Sequence, residues 1–116
     1  MYIDGFVIPV KTTNKDAYLK MAKVAATIWR DHGALEVVEC WGDDVPTGKL
    51  TSFPIAVKLE ADETVVFSWV TWPDRQARDA GNEKVMADPR MSPENMDMPF
   101  DGKRLIFGGF ELLTKG

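Results

Sequence analysis

The stretch from Thr64 to Trp72 reads Thr-Val-Val-Phe-Ser-Trp-Val-Thr-Trp, a β-strand with large apolar side chains on both of its faces. Alternation puts Val65, Phe67 and Trp69 on one side and Val66, Val70 and Trp72 on the other. A first strand, Tyr2 to Val10, behaves the same way, with Tyr2, Phe6 and Ile8 opposed to Ile3 and Val7. A sheet built from such strands must be covered twice, and the remaining sequence determines what can cover it.

Two helices are available. One begins near Thr13, where Asp16 three residues on resembles a capping box, and stops at Gly33. Its apolar positions Tyr18, Met21, Ala22, Ala25, Ile28 and Trp29 recur at helical spacing. The other follows Pro73, runs from Asp74 to about Ala87 and ends before Asp88-Pro89. Gly81 inside it either weakens the helix or marks a close contact. Ala34 to Gly42 predicts a second strand, Asp43 to Gly48 an acidic turn-rich loop, and Ile55 to Leu59 a short extended stretch. Arg90 to Gly102 reads as a long irregular loop and Lys103 to Leu113 as the last strand. The order is β-α-β-(short β)-β-α-β, which is the split βαβ, ferredoxin-like pattern of an α+β protein. One domain spanning residues 1–116 is expected.

Two helices cover one face of an antiparallel sheet, and the other face ordinarily turns polar. Here it stays apolar, and monomers rarely expose apolar patches beyond a few hundred Å². The simplest cover is the same face of a second copy, so a homodimer through the sheet faces is expected.

Composition narrows the function. With 14 Lys and Arg against 18 Asp and Glu, the net charge is −4, which weighs against binding nucleic acid, whose phosphates are neutralised by basic side chains. No apolar run approaches the roughly 18 residues of a membrane span, and no signal peptide is visible, so no membrane association and a cytoplasmic location are expected. One cysteine and one histidine leave a zinc site without its usual ligands, and no Gly-rich phosphate loop is present; neither a metal nor a cofactor is expected.

The residues that could carry chemistry are few. Asp4 sits mid-strand among apolar neighbours and needs a partner, and Arg104 at the start of the last strand is a candidate, because the first and last strands of a ferredoxin-like sheet are adjacent. Facing a cavity, the pair would anchor an acid or an enolate; at the sheet edge it would be a structural ion pair. Trp41 and Trp69 are strand aromatics that either stack on a flat ligand or pack a core and interface. Asp4, Trp41, Trp69 and Arg104 are therefore the expected lining of an inter-sheet pocket. His32 is a secondary candidate, expected at its rim or outside it: the ordinary range of histidine suits proton transfer, and its place on the last helical turn suits a charge against the helix dipole. Cys40 reads as a small buried hydrophobe, Arg75, Arg78, Asp79 and Asn82 as mostly a solvated helix face, and Gly108-Gly109 as allowing close sheet contact or a bulge. The expected function is small-molecule binding or a cofactor-independent enzymatic activity in the cavity between two packed sheets, on a flat, partly apolar or anionic ligand. The alternative is a non-catalytic dimeric interaction or regulatory module without a ligand.

Three runs carry a family resemblance: Tyr2-Ile3-Asp4-Gly5-Phe6, Val65-Val66-Phe67-Ser68-Trp69, and Met98-Pro99-Phe100-Asp101-Gly102-Lys103-Arg104-Leu105-Ile106-Phe107-Gly108-Gly109-Phe110. With them the chain resembles the YbaA-like family of small bacterial proteins, the domain of unknown function 1428. The resemblance implies the dimeric α/β-barrel variant of the ferredoxin-like fold, with two four-stranded sheets face to face and helices outside. It implies no catalytic residue.

Overall fold

A computed structural model describes residues 1–116. The chain forms β1 (Tyr2–Lys11), α1 (Lys15–Asp31), β2 (Glu36–Trp41), a short α2 (Phe53–Ala56), β3 (Glu63–Trp72), α3 (Arg75–Ala87) and β4 (Ile106–Glu111), with 3₁₀ turns at Thr12–Asn14 and Pro89–Met91. The four strands make one antiparallel sheet in the order β2-β3-β1-β4, the ferredoxin-like arrangement expected from the element order. No helix is long and apolar enough to cross a membrane.

The helices pack on the face formed by the even-numbered positions of β1 and β3. Ile8, Val10 and Val66 meet Tyr18 and Ala22 of α1, while Tyr2, Val70 and Trp72 enclose Ala34. Ala25 and Ile28 join α1 to Val85 of α3 and to Met96 in the long loop. Trp72 is fully buried, edge-on to Trp29 at 5.9 Å. Gly81 is the close contact of α3: a Cβ there would overlap the Trp72 ring and the His32 carbonyl.

Three local expectations change. The residues ahead of α1 are already wound into a 3₁₀ turn, so no extended cap residue is available and no side chain caps this helix. Ile55 to Leu59 is not a strand. Ser52 accepts a hydrogen bond from Ile55 N at 3.0 Å and Pro54 sits in the first turn, and together they start α2 instead. The last strand is shorter than Lys103–Leu113, because Asp101 takes up residues 103–105: its carboxylate accepts from Lys103 N, and its carbonyl from Arg104 N and Leu105 N.

The connection between β2 and β3 folds back onto the sheet face away from the helices. Val45, Val57 and Leu59 cover Val7 and Val65 there. This shelters one end of that face and leaves the other end open.

The open apolar sheet face as candidate functional site

The open face is an array fixed by strand register. Across β3, β1 and β4, Phe67 stands opposite Val7 and Val7 opposite Ile106; the next row is Trp69, Gly5 and Gly108. Beyond it Ile3 is opposite Phe110. The rows enclose a hollow of about 610 Å³, lined by eight hydrophobic side chains and two glycines. Phe67 packs against Trp69 at 5.7 Å, and Phe53 of α2 extends the aromatic line edge-on to Phe67, also at 5.7 Å. No charged side chain lines this hollow, and the indole N–H of Trp69 is the one side-chain hydrogen-bonding group among its lining residues. It can hold apolar and aromatic groups, and it holds no acid or base for proton transfer.

Of the four residues expected to line an inter-sheet pocket, Trp69 alone stands on this face. The alternation of β2 puts Trp41 opposite Val66 on the helix side, with Lys15 Nζ 5.5 Å from its ring. Asp4 also points to the helices. Its Oδ2 accepts from Trp72 Nε1 at 3.0 Å and from Asn82 Nδ2 at 3.4 Å, and its Oδ1 from Arg78 Nε at 2.9 Å. Arg78 therefore leaves the solvated face expected of it: it lies 5.0 Å over the Tyr2 ring and ties α3 to β1. Gly109 makes the room, since a Cβ there would overlap both Arg78 and Tyr2.

Arg104 is not the partner of Asp4. Its guanidinium forks onto Glu63 at 2.7 and 2.6 Å, donates from Nε to a second carboxylate, Asp101, at 2.7 Å, and donates to the Lys58 carbonyl at 3.0 Å. Glu60 approaches at 3.2 Å. The Glu63 side chain is 4% exposed, and its hydrogen bonds to Arg104 hold its carboxyl below the ordinary value; Arg104 does the same for Asp101. Lowered carboxylate pKa values mean stability that is present above about pH 4.5 and lost as pH falls through the folded values. Arg104→Gln should therefore lower the urea midpoint at pH 7, with the gap to wild type shrinking towards pH 3. A gap independent of pH would show that the clasp acts through packing alone.

His32 caps the end of α1 outside the hollow, its Nε2 2.8 Å from Asp88 Oδ2. Arg90 grips the same carboxylate and Asp31, and with His32 it holds Asp88 well below the usual carboxylate range. Cys40 is exposed, contrary to the buried hydrophobe expected, because β2 is an edge strand with no neighbour beyond it. No group of three or more His, Cys, Asp and Glu side chains is placed to hold a metal ion. The lining residues Gly5, Ile106, Gly108 and Phe110 went unnoticed as a site. Pairing β1 with β4 in register would have found them, but the two strands lie at opposite ends of the sequence and no local pattern fixes their register.

Sheet order and layers together define a ferredoxin-like α+β protein, closed by helices on one face and apolar on the other. Solved structures that share this fold include an uncharacterised NIPSNAP-domain protein from Burkholderia xenovorans and protein Atu4242 from Agrobacterium tumefaciens. The first aligns with TM-score 0.60 at 17% identity over 97% of this chain and 94% of that one. The second aligns with TM-score 0.55 at 15% identity over 96% and 92%. The family model DUF1428, described as a protein of unknown function, matches residues 1–102. The chain is 56% identical over 110 residues to the uncharacterised protein YbaA of Escherichia coli K12, covering 95% of this chain and 94% of that protein, and equally to that of Shigella flexneri. The chain belongs to the DUF1428 family.

Proposed function

We propose that the chain works as a homodimer whose open sheet faces pack together and enclose a chamber for a small, flat, apolar molecule, and that its activity is binding. The observation that carries this reading is the uncovered apolar array around Trp69. Its size fits a partner of the same kind. The chain exposes 7737 Å². A compact monomer of 13.0 kDa exposes about 6,300 Å². The excess of about 1,400 Å² per chain, taken from two chains, lies in the range of obligate dimers. The shape agrees: the chain is a slab of 38 × 37 × 22 Å, and two slabs stacked through the open faces are nearly isometric.

Binding is favoured over catalysis because the polar clusters are elsewhere and their charged groups are paired with one another. Arg104, expected to anchor an anionic ligand, is committed to carboxylates, and Asp4 to α3. Sedimentation equilibrium tests the dimer, together with melting at several protein concentrations. If folding and association are coupled, the melting temperature rises with concentration. A stable monomer at micromolar concentration with native circular dichroism refutes the reading.

A further inference from the structure

We infer that the middle of the open face is a slot for one uncharged aromatic ring, floored by Gly5 and Gly108, ended by Trp69 and occupied in the free chain by the ring of Phe110. The inference rests on the proposed chamber and names what it holds.

The argument starts from two glycines whose side-chain space the fold leaves unused. Gly81, Gly109 and Gly42 are demanded by packing: a Cβ would strike the Trp72 ring, Arg78 and Tyr2, or the Val65 carbonyl, respectively. Gly5 and Gly108 are different. Neither has a positive φ, and a Cβ at either would meet only the Phe110 ring, at 3.5 and 3.6 Å, both ordinary contact distances. Each lies inside a strand, where glycine costs roughly 0.5–1 kcal/mol relative to alanine. They stand directly opposite each other, in one row with Trp69. The result is a strip of bare backbone within the 610 Å³ hollow, with Phe67 on one side and Phe110 on the other.

Phe110 shows what fits. Its ring carbons lie over both glycine positions in van der Waals contact, although the residue is 60% exposed and has water to turn into. A planar ring of a ligand can take that place, with the Trp69 side chain next to it in the same row, and aromatic pairs attract beyond the area they bury. The charge of the site selects further. The lining has no cation for an anion, no side-chain acceptor, and a single side-chain donor, the Trp69 indole N–H, too few for a sugar or an amide, in a chain of net charge −4. An uncharged aromatic is the class that loses least on entering.

The test compares 1-naphthol with its saturated counterpart, decahydro-1-naphthol, in titrations followed by amide NMR. We expect 1-naphthol to shift the Gly5 and Gly108 amides and to bind at least tenfold more tightly than the saturated alcohol. Gly108→Val, whose β-branched side chain suits a strand, should weaken naphthol binding at least tenfold while sedimentation still shows the wild-type association state. Gly5→Ala, the milder variant, should weaken it in the same direction and serves if Gly108→Val does not fold. Equal binding of the two alcohols, shifts confined to other amides, or unchanged affinity in the folded variants overturns the slot. Loss of association in Gly108→Val also overturns it, since the glycines would then admit the partner's backbone. A dimer that ignores naphthol refutes the slot alone. A monomer that binds it refutes the dimer and leaves the slot standing, because every residue of the slot belongs to one chain.

Discussion

Trp69→Glu should weaken self-association by about 100-fold or more, shifting the protein to monomers or aggregates at micromolar concentration. The residue stands at the centre of the open face, beside Gly5 and against Phe67, and it contributes nothing to the helix-side core. Buried aromatics at the middle of an interface dominate its energy, and a carboxylate placed there would lose its water without gaining a partner. Phe67→Glu, one row along, should act in the same direction. The measurement is sedimentation equilibrium beside near- and far-UV circular dichroism. A variant that keeps the wild-type association constant would show that this face is not where copies meet.

Asp4→Ala should lower stability by about 3 kcal/mol without touching the open face. Its carboxylate is the common acceptor for Trp72, Arg78 and Asn82, and the Asp4 side chain is 7% exposed. Removing it leaves the Trp72 indole N–H buried with no acceptor and takes the partner from Arg78 Nε, leaving that guanidinium only Asp79, and this costs more than the contacts themselves are worth. For a chain of this length the melting temperature should fall by roughly 10 °C or more. Asp4→Asn keeps an acceptor for the indole and should recover part of the loss. If Asp4→Ala melts within 2–3 °C of wild type, about the shift from a substitution of no consequence, the cluster does not fasten α3 to the sheet.

The two predictions mark where the sequence was readable. Element order and the double apolar pattern of β1 and β3 depend on periodicity, which is local, and both led to the observed fold. The pairing of Asp4 depends on which helix crosses above it. β1 and β4 are indeed adjacent, but the turn held by Asp101 and Glu63 draws Arg104 to the sheet end, and Gly81 brings α3 down close enough for Arg78 to replace it. Trp41 was misplaced for a smaller reason. β2 carries apolar residues on both faces, Val37 and Trp41 on one and Val38 and Cys40 on the other, so the face that Trp41 takes follows the register with β3 and not any alternation visible in the strand itself. Ser52 and Pro54 did carry a helix-start signal, and the apolar residues after them made a strand look equally good.

The position of β1 also governs when the chain can fold during its synthesis. β1 is the second residue onwards, yet its neighbours in the sheet are β3 and β4. Its first partner residues, Glu63–Trp72, are made some sixty residues later, and Arg78 and Asn82, which neutralise and satisfy Asp4, later still. At about 5–20 residues per second, this apolar strand waits several seconds with no partner strand to pair with. Only α1 can form early, because its hydrogen bonds close within four residues. One of the two inner strands of the finished sheet is thus the one whose native contacts must wait longest.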